Sequence, residues 1–230
     1  MSNNTTQLEK TIGINFKDKK LLLDAITHRS FLNESPENIQ SNERLEFLGD
    51  AVLELLVSDY LFRRFTDFPE GKLTNLRSAI VNTKTLGEIG KKLKFGDYLR
   101  LSKGEEAGGG RTNSSLLADV FEAVLGAIFI DQGIVIAKKF LDKYLYSQTA
   151  EILSIGTYND YKSMLQEKAQ EKFRITPTYE VIKEEGPDHN KTFYSRVLVG
   201  EVKLGEGKGK SKQEAEQDAA RVGLEQWEAK

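Results

Sequence analysis

Asn42-Glu43-Arg44-Leu45-Glu46-Phe47-Leu48-Gly49-Asp50-Ala51-Val52-Leu53 decides how the rest of the chain is read. Glu43, Glu46 and Asp50 fall three and then four residues apart, so on a helix they share a sector of about 60°. Like charges so placed repel by a few tenths of a kcal/mol per pair, and helix stability therefore does not explain them. Leu45, Leu48, Val52, Leu55 and Leu56 form the opposite stripe and are expected to face a core. Two readings stay open here: a solvated acidic face, or a set of ligands for a cation. Phe47 argues against plain solvation, because its angle sets an apolar ring beside the carboxylates, where it suggests a partner surface.

A length of 230 residues predicts one or two domains, and 39% hydrophobic with 30% charged residues describes a soluble globular chain. No apolar run reaches the ~18 residues of a membrane span. Met1 to Thr6 is polar and lacks an apolar h-region, so a cytoplasmic protein is expected rather than a secreted or membrane one. The absence of cysteine excludes disulfides, thiolate metal sites and cysteine nucleophiles. His28 and His189 lie far apart, which disfavours a histidine-rich metal site or a serine triad. A net charge of −2 gives no global sign of nucleic-acid binding, so any such binding must rest on a local patch.

Upstream of the opening helix, residues 8–31 are expected to be helical, with Asp18 as a cap. Pro36 marks 33–40 as a loop. Ser41 or Asn42 then caps the helix, which is expected to reach about Phe65. Phe68-Pro69-Glu70-Gly71 breaks the pattern, and helices are expected at about 72–81 and 83–93. Gly104, Gly108, Gly109 and Gly110 predict a loop over 101–114. Ser115 to Ile130 is apolar nearly all round, the mark of a buried helix. Only Asp119 and Glu122 interrupt it, at i and i+3 on one face. Unpaired buried carboxylates cost several kcal/mol. Either they cap loops or meet distant arginines, or they complete a cluster with Glu46 and Asp50 around a hard cation. All-oxygen ligation favours Mg²⁺ or Mn²⁺ over zinc.

A helix from Ile134 to about Leu153 closes a first, all-α domain (1–153), with 154–159 as a linker. Residues 160–229 then change pattern to helix, three strands and helix. Tyr161 to Phe173 is amphipathic, Pro177 opens a strand through Ile182, and 186–191 is a polar loop. Thr192 to Val199 alternates, a turn falls at Gly200-Glu201, and a third strand covers Val202 to Gly205. Ser211-Lys212-Gln213-Glu214 is a capping box opening the last helix. Lys208, Lys210 and Lys212 crowd that helix start. Cations belong at the other end of a helix, so the placement points to a phosphate site. Small residues Ala215 and Ala219 let this helix lie close on the sheet.

The signature at 42–50 resembles that of ribonuclease III, and Leu117-Ala118-Asp119-Val120-Phe121-Glu122-Ala123 looks like that family's second acidic motif. Thr27-His28-Arg29-Ser30, Phe68-Pro69-Glu70-Gly71 and Lys103-Gly104-Glu105-Glu106 are similar to further stretches of bacterial members. Residues 160–229 resemble a double-stranded RNA-binding domain. The resemblance implies an all-α endonuclease domain followed by an α-β-β-β-α RNA-binding domain. It implies a homodimeric endoribonuclease that uses Mg²⁺, with Mn²⁺ as a substitute, and no organic cofactor. Double-stranded RNA, including precursor ribosomal RNA and other structured transcripts, would be cut to 5′-phosphate and 3′-hydroxyl ends with short 3′ overhangs.

By that resemblance Glu46, Asp50, Asp119 and Glu122 would hold metal, Asp50 and Glu122 being catalytic, with Glu43 and Glu70 in support. Phe47 would pack into the other subunit. Gln166 and Gln170 would reach one minor groove and the His189 loop a second. Lys208, Lys210, Ser211 and Lys212 would hold phosphates between them. Gln213 departs from the lysine many relatives carry. Two other classes compete. A catalytically silent RNA-binding protein should lack at least one catalytic carboxylate, and none is missing. A di-iron bundle would need a Glu-x-x-His pair, and residues 25 and 186 are Ala and Gly.

Overall fold

The computed structural model describes residues 2–34, 39–148, 161–187 and 190–228. The chain divides into two compact units, Met1–Tyr158 and Asn159–Lys230. The expected linker at 154–159 lies outside the described residues.

The first unit is helical: α1 (Ser2–Ile12), α2 (Lys19–Ala25), α3 (Arg29–Leu32), α4 (Glu43–Arg64), α5 (Glu70–Ile80), α6 (Thr83–Lys92), α7 (Phe95–Tyr98), α8 (Lys103–Ala107), α9 (Ser114–Gln132) and α10 (Ile134–Tyr144). Its axis is α9, apolar except at Asp119, Glu122 and its ends and packed against α4 and α6. Asn113 starts α9 by accepting the Ser115 N–H at 2.8 Å, and Gly133, at φ 81°, ends it. Leu117, Phe121, Val124, Leu125 and Ile128 are fully enclosed, each such side chain contributing about 1.5–3 kcal/mol of burial.

Several expectations need correction. The helix foreseen over 8–31 is three helices. Gly13, at φ 75°, breaks the first. Thr27 then leaves helical conformation to bridge Arg100 in parallel, and its carbonyl accepts the Asn42 N–H at 2.8 Å. The glycine-rich stretch 101–114 is mostly wound into α8 and a 3-10 turn at Gly110–Thr112, because the Ser102 hydroxyl caps α8 through the Glu105 N–H at 3.1 Å. The helix expected from Ile134 to about Leu153 ends at Tyr144 and is followed by a 3-10 turn at Tyr146–Gln148, residues 149–153 lying outside the described residues. Leu55, assigned above to the core stripe, is 58% exposed. It lies ~80° around α4 from Phe47, so α4 carries apolar residues on two sides.

In the second unit α11 (Tyr161–Phe173) and α12 (Lys212–Glu228) flank an antiparallel sheet of order β1 (Thr178–Glu185), β2 (Thr192–Val199), β3 (Val202–Gly209). Ser195, Val197 and Val199 alternate inward on β2, and Gly200, at φ 62°, makes the turn into β3. β3 extends to Gly209 rather than Gly205. Every second residue at its end, Gly205, Gly207 and Gly209, is glycine because α12 lies against that face: a Cβ on Gly207 would sit 2.1 Å from the Ala219 nitrogen. Leu165, Val197, Ala219, Ala220 and Leu224 form this unit's own core.

Candidate metal centre and nucleic-acid interface

Two helices, α4 and α9, carry the four carboxylates singled out in the sequence. They cross at near-backbone contact, since a Cβ on Gly126 would lie 2.3 Å from the Leu45 carbonyl oxygen. Neither Gly49 nor Gly126 was marked as functional from the sequence, although glycine in a helix interior costs about 0.5–1 kcal/mol and is itself a signal of close approach.

The crossing leaves Glu46, Asp119 and Glu122 half-buried and Asp50 exposed. Burial, and after it the neighbouring Asp50, Glu46, Asp119 and Glu54, push the Glu122 carboxyl up to about 8. Glu46 is raised by burial and then by Asp119, Glu43 and Asp50. Asp119 is raised by burial, with His28 drawing it partly back. The four groups are therefore brought within electrostatic reach of one another. Among the described residues none of their side chains has a hydrogen bond or ion pair. Nor do three acidic or histidine groups there converge tightly enough to form a ready-made metal cage. The donor set is hard, anionic, half-desolvated and uncompensated, which fits Mg²⁺ or Mn²⁺ in chemistry.

Other assigned residues fall at varying distances from this cluster. Exposed Glu43 accepts the Ser41 hydroxyl at 2.9 Å and pairs loosely with Arg29 at 3.5 Å. Glu70 opens α5, accepts the Thr74 hydroxyl at 2.9 Å, and is not among the charges acting on Glu46, Asp119 or Glu122. Glu54 and His28, which do act there, were not selected from sequence. Glu54 continues the i, i+4 acidic column and could have been. His28 reaches Asp119 only through tertiary folding. Phe47 is 80% exposed and stands on the rim of a hollow of about 530 Å³ lined also by Leu21, Asp24, Leu45 and Ile130. Phe62, 73% exposed, lies on the same side of α4.

In the second unit Gln166 and Gln170 are exposed together on α11. Lys208, Lys210 and Lys212 are exposed around the start of α12. The Ser211 hydroxyl accepts the Glu214 N–H at 3.1 Å, as the capping box predicts. The reciprocal bond differs, because the Glu214 carboxylate takes the Lys210 N–H at 2.7 Å. The Lys210 ammonium donates to Asn190 Oδ1 at 2.8 Å. His189 lies outside the described residues.

Known proteins match along both units. The Ribonuclease-III-like family model matches residues 18–149, and the double-stranded RNA binding motif matches 161–226. Ribonuclease 3 of Enterococcus faecalis is 47% identical over 224 residues, covering 96% of this chain and 96% of the relative. Ribonuclease 3 of Geobacillus thermodenitrificans is 48% identical over 223 residues, or 95% of this chain and 89% of the relative. Among solved structures, a nuclease domain of ribonuclease III from Campylobacter jejuni, described for flexibility in its dimer-forming region, superposes with a TM-score of 0.57. It is 42% identical and covers 61% of this chain and 95% of its own.

Proposed function

The chain belongs to the ribonuclease III family and is an endoribonuclease for double-stranded RNA, and on that premise we propose how its residues divide the work. Glu46, Asp50, Asp119 and Glu122 hold divalent metal, Mg²⁺ with Mn²⁺ as a substitute, and Asp50 and Glu122 are the catalytic pair. The observation that carries this is Glu122, held near 8 by burial and four acidic neighbours. A carboxyl so placed is costly in the apo protein, and a bound cation reverses the sign of the interaction.

Bound Mg²⁺ would supply charge neutralisation, a more acidic water and stabilisation of the leaving oxygen. The protein supplies the rest. Its α4–α9 crossing fixes the carboxylates on two rigid helices. Glu122 would ligate the cation as its carboxylate, its proton passing to solvent, and Asp50 is the exposed member of the set. Hydrolysis by water leaves a 5′ phosphate and a 3′ hydroxyl. Glu43 and Glu70 act in support, at the ends of their helices.

Gln166 and Gln170, with the His189 loop, read the minor grooves. Lys208, Lys210, Ser211 and Lys212 grip phosphates at the anion-favouring start of α12. Phe47 seats in a second copy of the chain, so the enzyme is a homodimer whose two sites make staggered cuts with short 3′ overhangs. Structured transcripts, precursor ribosomal RNA among them, are the substrates, and the cytoplasm is the place of work. No described helix is long and apolar enough to cross a membrane.

Glu122→Gln tests the reading. It should bind double-stranded RNA as the parent does and lose Mg²⁺-supported cleavage by at least about 10³-fold. Undiminished cleavage would refute the assignment.

A further inference from the structure

The acidic column of α4 does not stop at Asp50. Glu54 follows one turn on, about 6 Å further along the helix, and an arginine from the neighbouring helix closes on it. Arg77 of α5 sets its Nε 2.8 Å from Glu54 Oε2, and its Nη1 donates to the Ser58 hydroxyl at 2.9 Å. Both anchors stand on α4, so the guanidinium is pinned against the helix that carries Glu46 and Asp50. Its third nitrogen, Nη2, makes no hydrogen bond among the described residues, and the side chain is 35% exposed.

Two other arginines of the unit show what this arrangement is not. Arg111 spends its guanidinium on Glu106 and on the carbonyls of Gly96 and Leu99, a structural knot. Arg29 meets Glu43 only at 3.5 Å and is 72% exposed, too loose to be preorganised. Arg77 is both fixed and open. We propose that Arg77 is a substrate-binding residue whose Nη2 grips a phosphate of the RNA strand beside the one being cut.

The chemistry favours it. A phosphodiester must approach a group of carboxylates, and a planar cation fixed further along α4 offsets that repulsion with directed hydrogen bonds. A clasp between α4 and α5 needs only the Nε ion pair and the Nη1 hydrogen bond, and Nη2 is not engaged in it. Glu54 also acts on Glu122, which links Arg77 to the candidate metal centre through its ion-pair partner, while Arg77 itself is not among the charges acting on Glu46, Asp119 or Glu122. The inference rests on the reading of that centre given above.

The full-length chain is assayed with a double-stranded RNA hairpin and Mg²⁺ across a KCl series, and thermal unfolding is recorded for each variant. Arg77→Gln should raise KM about tenfold with kcat within about twofold, the pattern of a binding contact. The slope of log KM against log[KCl] should fall by about one, as when one phosphate contact is lost. Arg77→Lys, which keeps the charge, should keep the slope. Glu54→Gln frees the guanidinium without removing it and should also keep the slope. A parental KM and slope in Arg77→Gln would overturn the proposal. So would matched losses in Arg77→Gln and Glu54→Gln that follow unfolding temperature with the slope unmoved, since that is the behaviour of a clasp. Glu122→Gln, run in parallel, separates the two failures. If it cleaves normally, the metal-site reading fails while the salt slope still reports the phosphate contact.

Discussion

A side chain at Gly49 would place its Cβ 1.8 Å from the backbone carbonyl oxygen of Glu122. The two acidic motifs are therefore joined through main chain, one residue before Asp50 and at Glu122 itself. Gly49→Ala would gain up to ~1 kcal/mol of helix propensity, but the clash falls on backbone that no rotamer change can relieve. The expected result is a net loss of about 3 kcal/mol or more, read as a lowered urea midpoint, with cleavage falling in the folded fraction as well. A midpoint equal to or above the parent's would mean that the helices can separate freely.

The metal-free enzyme should lose stability as pH rises. Below 4.5, the ordinary value for Glu122, its carboxyl is protonated in both the folded and unfolded chain. Between there and about 8 the unfolded chain gives up the proton while the native one keeps it. Unfolding then releases a proton, and stability declines through the window. Glu46 and Asp119, also raised, add to the same slope. Thermal unfolding in EDTA from pH 5 to about 8 should show the decline, Glu122→Gln should flatten it, and Mg²⁺ should restore stability at the alkaline end. A rising or flat parental profile would contradict the assigned burial.

These two relationships mark what could be read from the sequence. Asp119 and Glu122 stand out because they interrupt an otherwise apolar helix, and Glu46 and Asp50 because their spacing is periodic. The second unit was legible from strand alternation and the Ser211 cap. What escaped was non-local. Thr27 leaves its helix to pair with Arg100, seventy-odd residues away. Leu55 looks like core by composition yet faces outward beside Phe62. Gly49 and Gly126 signal a close approach by their cost to the helix, but the sequence does not say which backbone lies against them. Pattern reports which face of an element is apolar, and it does not report how many partners that element has.

Phe47 gives a test of assembly. Because the ring is 80% exposed, its removal should leave the folded unit as stable as before, within about 0.5 kcal/mol. Phe47→Ala should nevertheless weaken a dimer at least tenfold, by analogy with aromatic anchors that cost ~2 kcal/mol or more when truncated. Sedimentation velocity across a concentration series reads both species. A dimer of unchanged strength would move the contact elsewhere on the exposed side of α4.

Glu214 sets two effects of opposite sign against each other at the proposed phosphate site. Its carboxylate accepts the Lys210 N–H at 2.7 Å and lies at the start of α12, where a negative charge contributes about 0.3–1 kcal/mol to the helix. The same charge stands among Lys208, Lys210 and Lys212, where it repels the phosphate those lysines attract. Glu214→Gln keeps an oxygen for the Lys210 N–H and removes the charge, so the helix loses at most the electrostatic part of the cap. RNA affinity should rise about two- to fivefold at low salt, with the gain shrinking as KCl screens it. Fluorescence anisotropy at two salt concentrations, with unfolding followed alongside, separates the effects. Affinity that stays level or falls would show that RNA does not reach the start of α12.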